Sequence, residues 1–265
     1  MTSAARPAFS GVGVPDRPRK PRDRGLTVTV DFGLGTAAQQ DLLEIAGDAM
    51  DHAKLVVGVA GLIPLSLLRR KNELYRDYGV EPFPGGMFLE YAIAHDRAES
   101  YLDGAAEAGY RLIEVSDNAI PIDQDVKESA VAAALRRGLA VFGEVGSKHV
   151  RTPAAELVDG VRGLLSAGCR KVLVEAAELL DGDALRTELL DALSDAVPID
   201  DLVFELPGPW LPDVHHHQVH ALQSTLIRLF GPDVNIANDP AGNALFLEAM
   251  RRGIGPNTLD EGARA

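Results

Sequence analysis

From Leu26 onward, short apolar runs alternate with longer stretches in which apolar residues recur every three or four positions. The short runs are Leu26–Asp31, Lys54–Val59, Val80–Phe83, Leu112–Ser116, Ala140–Gly146, Lys171–Ala176, Leu202–Leu206 and Val234–Ala237. Those such as Val172-Leu173-Val174 are apolar without alternation, the pattern of parallel strands buried on both faces. Between them the helical period opens at Asp41-Leu42-Leu43-Glu44-Ile45. It returns over Pro64–Tyr78, Arg97–Ala108, Asp125–Arg137, Ala154–Ser166, Asp183–Ala196, Val214–Phe230 and Ala241–Arg252. Gly109, Gly138, Gly168 and Gly231 stand where helices should stop. Eight strands alternating with eight helices predict an α/β fold, a single (β/α)8 TIM barrel over residues 25–258. Residues 1–24, rich in Pro, Gly and Arg and without periodicity, read as a flexible arm, and 259–265 as a tail.

Composition narrows the function. The 265 residues, 46% hydrophobic and 25% charged, suit an ordinary soluble domain large enough to bury its own core. A net charge of −13 argues against nucleic-acid binding, although residues 1–24 hold six basic side chains and two acidic ones. An anionic substrate must therefore be gripped by a few local cations and amides. Cys169 is the single cysteine, which excludes an intramolecular disulfide and suggests a cytoplasmic protein. No run is long enough to span a bilayer, and the N-terminal residues lack the apolar segment of a signal peptide, so no membrane partner is expected.

The polar residues fall at strand ends. Asp31 ends the first strand, and Lys54 begins the second. Glu114, Ser116 and Asp117 end the fourth; Glu144 and Lys148 follow the fifth. Glu175 ends the sixth, Glu205 the seventh, and Asn235 and Asn238 flank the end of the eighth. Charges beside apolar runs are costly to bury unless they share a polar pocket. In a parallel barrel such ends converge at the carboxyl mouth, where catalytic groups sit. Any one of them can equally be an internal ion pair or a helix cap. Several carboxylates beside a lysine suit a divalent, oxygen-seeking cation such as Mg²⁺.

An ordered series of short motifs then resembles the phosphosulfolactate synthase family from Lys20 to Thr258. It runs from Lys20-Pro-Arg-Asp-Arg-Gly-Leu-Thr27 into Asp31, through Asp41–Gly47, Lys54 and Pro84-Gly-Gly86 with Phe88 and Glu90. Ile113-Glu-Val-Ser-Asp117 and Gly143-Glu-Val-Gly-Ser-Lys148 follow, then Val174-Glu175, Phe204-Glu-Leu-Pro207, Phe230–Asn235 and Arg251-Arg-Gly253. The resemblance implies a barrel that adds sulfite to phosphoenolpyruvate with Mg²⁺. By it, Lys148 delivers the proton, with Glu144 and Glu114 beside it. Asp31, Asp117, Glu175 and Glu205 are candidate metal ligands, in a pool that also holds Glu114 and Glu144. Lys54, Arg22, Arg251 and Arg252, with Ser116, Asn235 and Asn238, are candidates for gripping phosphate, carboxylate and sulfite. The chain departs from the family pattern at Phe32, where a Lys is expected, at Val56-Val-Gly-Val59 in place of Gly-Trp-Gly-Thr, and at Glu175-Ala-Ala177, which lacks an Arg. Ser116-Asp-Asn118 and Asn235-Ile-Ala-Asn238 each replace a Gly.

Two alternatives stand beside the synthase: a divergent relative with another enolpyruvate-like substrate or nucleophile, and a non-catalytic barrel like the plant heat-stress proteins that the family also resembles. The run His215-His216-His217, with His220, suggests zinc less than a polar helix face, since adjacent helical residues point about 100° apart. The loop Pro207–Asp213, with Trp210, is a candidate lid. Barrels of this size often associate, so a homo-oligomer is expected.

Overall fold

The computed structural model describes residues 8–148, 150–181, 184–208, 214–256 and 258. Eight parallel strands form the predicted barrel: β1 (Thr27–Asp31), β2 (His52–Leu55), β3 (Glu81–Pro84), β4 (Leu112–Val115), β5 (Ala140–Val145), β6 (Lys171–Val174), β9 (Leu202–Glu205) and β10 (Ile236–Pro240). A small antiparallel ribbon, β7 (Leu180–Asp181) with β8 (Ala184–Leu185), interrupts the count. Around the barrel lie α1 (Thr36–Ala46), α2 (Leu65–Asp77), α3 (Met87–Ala94), α4 (Ala98–Glu107), α5 (Gln124–Arg136), α6 (Ala154–Ala167), α7 (Ala176–Leu179), α8 (Thr187–Ala196), α9 (His216–Phe230) and α10 (Ala244–Arg251). Among the described residues no helix is long and apolar enough to cross a membrane.

Sequence chemistry explains where the barrel's ladder stops. The strands pair in the order β3-β2-β1-β10-β9-β6-β5-β4, with no ladder between β3 and β4. β3 reads Glu-Pro-Phe-Pro. Glu81 N and Gly85 N donate to Asp51 O and Leu55 O on the β2 side, both at 2.9 Å. The amides that would face β4 belong to Pro82 and Pro84, which have no N–H to give. Gly86 N closes the seam instead, donating to Glu114 Oε1 at 2.7 Å.

Strand parity divides the core in two. One parity packs beneath the helices: Ile113, Val115, Val141, Val172, Val174, Phe204 and Ile236 join one large cluster with the helix faces. The other parity fills the lumen with Val28, Phe83, Leu112, Phe142, Leu173, Val203 and Ala237. His52 edges onto Phe83 and Phe142, at 6.2 and 5.1 Å between ring centroids, and burial pushes its pKa down to about 4. Each fully buried side chain of this size contributes roughly 1.5–3 kcal/mol. The result is an apolar plug flooring the carboxyl half of the barrel.

The arm is anchored where it meets that barrel. Arg17 binds Asp233 and the Pro232 carbonyl at 2.9 Å and the Gly25 carbonyl at 2.8 Å. Lys20 Nζ donates to Gly47 O at 2.6 Å, and Arg22 Nε to Asp51 Oδ1 at 2.8 Å. Residues 8–24 form neither helix nor strand, so these charged contacts hold the segment.

Candidate active site

Stepping two residues toward the carboxyl end from each plug residue keeps the inward parity. The step leads from His52 to Lys54, from Leu112 to Glu114, from Phe142 to Glu144, from Leu173 to Glu175 and from Val203 to Glu205. The inward charges thus form one layer directly above the plug. They meet at a cavity of about 450 Å³ whose polar lining includes Lys54, Glu114, Asn118, Glu144, Lys148 and Glu205. Val56, Val57, Met87 and Ala119 supply an apolar wall.

Lys54 Nζ lies 2.8 Å from both Glu114 Oε2 and Glu205 Oε1. Burial alone would lower its pKa, but Glu114 and Glu205 outweigh that and hold it well above the ordinary lysine value. Lys148 Nζ, after β5, pairs with Glu175 Oε2 at 3.1 Å. Burial again opposes its charge, and Glu144 and Glu175 raise its pKa nonetheless. Glu144 is 1% exposed; burial first and Glu205 second push its carboxyl far above the usual range. Glu175 shifts upward for the same two reasons. Four carboxylates therefore face two ammonium groups, and the surplus negative charge invites a proton or a cation. Glu114, Glu144 and Glu205 each offer an oxygen within 4.8 Å of the others. Such an all-oxygen set fits a hard divalent cation, and Lys54 shows that a positive charge is accepted there.

Two residues outside the sequence-derived set organise this layer. Asn118 Nδ2 donates to Glu144 Oε1 and, at 3.3 Å, to Glu175 Oε2. Glu90, on α3 and wholly buried, accepts from Ser116 Oγ and from the amides of Asn118, Ala119 and Ile120, the last two at 3.0 and 2.8 Å. It clamps the loop that carries Asn118. The signal was a lone carboxylate in the otherwise apolar Met-Phe-Leu-Glu-Tyr-Ala-Ile-Ala run.

The predicted residues separate cleanly. Lys54, Glu114, Glu144, Lys148, Glu175, Glu205 and Asn238 are brought together, and Ser116 borders them through Glu90. Asp31 and Asp117 have the outward parity. Asp31 is buried under α2, 2.9 Å from Lys71 Nζ and 2.8 Å from Tyr75 Oη, and takes the Gly33 and Leu34 amides at 2.7 Å. Asp117 pairs with Lys127 at 2.8 Å. Arg22, Asn235, Arg251 and Arg252 sit at the opposite, amino end of the barrel. β10 begins two residues later than the apolar run suggested, so Asn235 precedes it and binds Leu26 N, Asp200 O and Leu202 O at 2.8–2.9 Å. Arg251 donates to the Pro232 and Val234 carbonyls at 2.6 Å and to Leu26 O at 3.0 Å; burial lowers its pKa to about 9. Arg252 is paired with Glu248 at 2.8 Å. Trp210 and residues 209–213 lie outside the described residues.

The chain matches the (2R)-phospho-3-sulfolactate synthase (ComA) family over residues 15–256. It is 32% identical over 256 residues to the phosphosulfolactate synthase of Methanothermobacter thermautotrophicus, covering 92% of this chain and 95% of that one. It is 29% identical over 247 residues to the phosphosulfolactate synthase of Methanocaldococcus jannaschii, covering 89% and 94%. Among solved structures, 3-hexulose-6-phosphate synthase superposes with a TM-score of 0.55 at 20% identity, covering 84% of this chain and 98% of that chain, a likeness of fold. Over nearly its whole length, and with a layer of buried charges at the barrel mouth, this chain belongs to the phosphosulfolactate synthase family of enzymes.

Proposed function

We propose that this protein is a carbon–sulfur bond-forming lyase that adds sulfite to phosphoenolpyruvate to give 2-phospho-3-sulfolactate. The observation that carries it is the Lys148–Glu175 pair standing beside Lys54 and the Glu114–Glu144–Glu205 cluster over one cavity. Sulfite sulfur donates its lone pair to C3 of the enol phosphate. The C2=C3 electrons move onto the substrate carboxylate, and C2 then takes a proton. Lys148, kept charged by Glu144 and Glu175, is the acid that delivers this proton and regains one from solvent. Lys54 faces the carboxylate as its charge builds and stabilises it electrostatically. Glu114, Glu144 and Glu205 would hold Mg²⁺, which supplies further positive charge against the same carboxylate. Asn118 keeps Glu144 and Glu175 in register with the acid.

The test is to incubate the protein with phosphoenolpyruvate, sulfite and Mg²⁺ and follow products by mass spectrometry, with Lys148→Ala in parallel. A phosphosulfolactate mass that requires both Lys148 and Mg²⁺ supports the proposal. A second reading, with another nucleophile, is favoured by the cavity's apolar wall and by both of its lysines being paired to carboxylates. Protection against unfolding by phosphoenolpyruvate without product would select it. Absence of both effects would sink the enolpyruvate reading.

A further inference from the structure

The amino end of the barrel holds a larger cavity than the mouth, about 820 Å³. Its roof is the underside of the apolar plug, with Leu112, Phe142 and the buried His52 ring, neutral with its pKa pushed down to about 4. The plug therefore stands between this cavity and the mouth. The arm closes one side with Pro21, Arg22 and Asp23. In a chain with a net charge of −13, this lining is basic: Arg22, Arg76, Arg111, Arg170 and Lys171 outnumber Asp23, Asp51 and Glu81. The surplus is two positive charges.

Several of these groups are already engaged. Arg22 and the Thr27 amide take the two oxygens of Asp51, at 2.8 and 2.9 Å. Arg76 donates to Gly109 O at 2.9 Å, and Lys171 Nζ to Asp200 O at 2.6 Å. Arg111 and Arg170 differ. Both are exposed, and among the described residues their guanidiniums make no hydrogen bond or ion pair. Glu81 lies within electrostatic reach of Arg76, Arg111 and Arg170 together, yet burial outweighs all three and raises its pKa. Three guanidiniums thus gather around one carboxylate, and even Arg76 stands 4.0 Å from it.

The barrel ladder sets the spacing. Arg111 immediately precedes β4 and Arg170 immediately precedes β6, on either side of β5: Arg111 O accepts from Ala140 N, and Arg170 N donates to Val141 O, both at 2.8 Å. Two strand spacings put their Cα atoms about 10 Å apart. Between them β5 and its approach offer only small residues, Gly138 and Ala140, and a Cβ on Gly138 would meet nothing within 4 Å. A lone exposed arginine is satisfied by water. Two that line one concavity with a surplus of positive charge repel each other until an anion joins them.

We infer that this amino-end cavity binds an organic phosphate monoester, with its phosphoryl dianion between Arg111 and Arg170 and its organic part against the plug. Guanidinium forks match phosphate oxygens, a dianion balances the surplus, and the volume is that of small-molecule sites, roughly 300–1,000 Å³. The site is separate from the proposed reaction and does not depend on it. Phenyl phosphate, a dianion at pH 8 with an apolar ring, is titrated calorimetrically into the full chain with chelator present. The wild type is compared with Arg111→Gln/Arg170→Gln and with a charge-matched control, Arg70→Gln/Arg162→Gln, which alters exposed positions of α2 and α6. The wild type should bind one equivalent, which saturating phosphoenolpyruvate does not displace. Affinity should fall at least tenfold in the first variant and stay within twofold in the control. Because Arg111 and Arg170 are exposed and unpaired, the first variant should unfold at the wild-type midpoint, so the loss is not one of folding. A wild type that does not bind, unchanged affinity in Arg111→Gln/Arg170→Gln, an equal loss in the control, or displacement by phosphoenolpyruvate overturns the site. Succinate binding as tightly as phenyl phosphate overturns the phosphoryl assignment.

Discussion

Replacing Lys54 by Met tests whether the mouth is a charge-balanced layer awaiting a cation. The ammonium is 2.8 Å from Glu114 and from Glu205, and these carboxylate side chains are each 1% exposed. Removing one partner of such a buried pair leaves uncompensated charge and costs about 3–5 kcal/mol. The cost belongs to ionised carboxylates, so it must vary with pH. In the wild type Lys54 titrates well above 10.5, so its stabilisation is intact at neutral pH and fades only as the pH rises through that higher value. In Lys54→Met the folded state keeps protons that the unfolded chain releases, as Glu144 already does. The deficit should therefore shrink as the pH falls from 8 toward 5.

A divalent ion should act in the same direction as protons, because it supplies the missing positive charge to the same three carboxylates. Chemical denaturation midpoints at pH 8 and pH 5, each with Mg²⁺ and with chelator, measure all four corners. We expect the full deficit only at pH 8 with chelator, and a partial recovery with either protons or Mg²⁺. A deficit below about 1 kcal/mol, or one indifferent to both pH and Mg²⁺, would refute the reasoning.

Gly86→Ala places a Cβ 2.8 Å from Ser116 Cβ and 3.0 Å from Glu114 Oε1. It should cost roughly 1–3 kcal/mol in denaturation and weaken phosphoenolpyruvate binding, because the same atoms close the β3–β4 seam and anchor Glu114. Lys71→Met leaves Asp31 without its cation, though still bound by Tyr75 Oη and the Gly33 and Leu34 amides, and should destabilise by about 3 kcal/mol while Mn²⁺ affinity is retained; loss of metal binding would return Asp31 to the site. Asp239 is pushed up by burial to about 7 from 3.8, so its stability is full below pH 3.8 and is lost as the pH rises through about 7. Asp239→Asn should flatten that part of the stability profile, and an unchanged slope would count against it. Burial raises the Cys169 thiol to about 12, so a disulfide reagent at pH 8 should label it only as fast as the protein opens, and rapid labelling without denaturant would contradict its burial.

The barrel was legible because its signals are local. Apolar runs of strand length and amphipathic helical stretches alternate through the chain, and most boundaries agree to within two or three residues. α3 escaped because Met87–Ala94 is short and apolar nearly all round, without the polar face that marks a surface helix. In the site, Glu114, Glu144, Glu175 and Glu205 were legible because each follows an apolar residue of its own parity. The same count, applied to Asp31 after Val28 and to Asp117 after Leu112, assigns both to the helix side. Arg22 and Arg251 resisted because what claims them is a set of carbonyls and a carboxylate distant in the chain, whereas Arg252 is claimed by Glu248 one helical turn away. Asn238 was named as a binding candidate and does reach the cavity, but the slip in β1–β10 pairing beside it was not legible, because nothing in Ile-Ala-Asn-Asp-Pro announces it.

The arithmetic of the mouth joins these points. An apolar plug forces every inward charge above it into one thin layer, where solvent cannot screen it. Four carboxylates and two ammonium groups in that layer leave a deficit of positive charge, which Glu144 meets with a raised pKa and a metal can meet instead. Such a layer can stabilise a carboxylate that gains charge only after a cation has joined it.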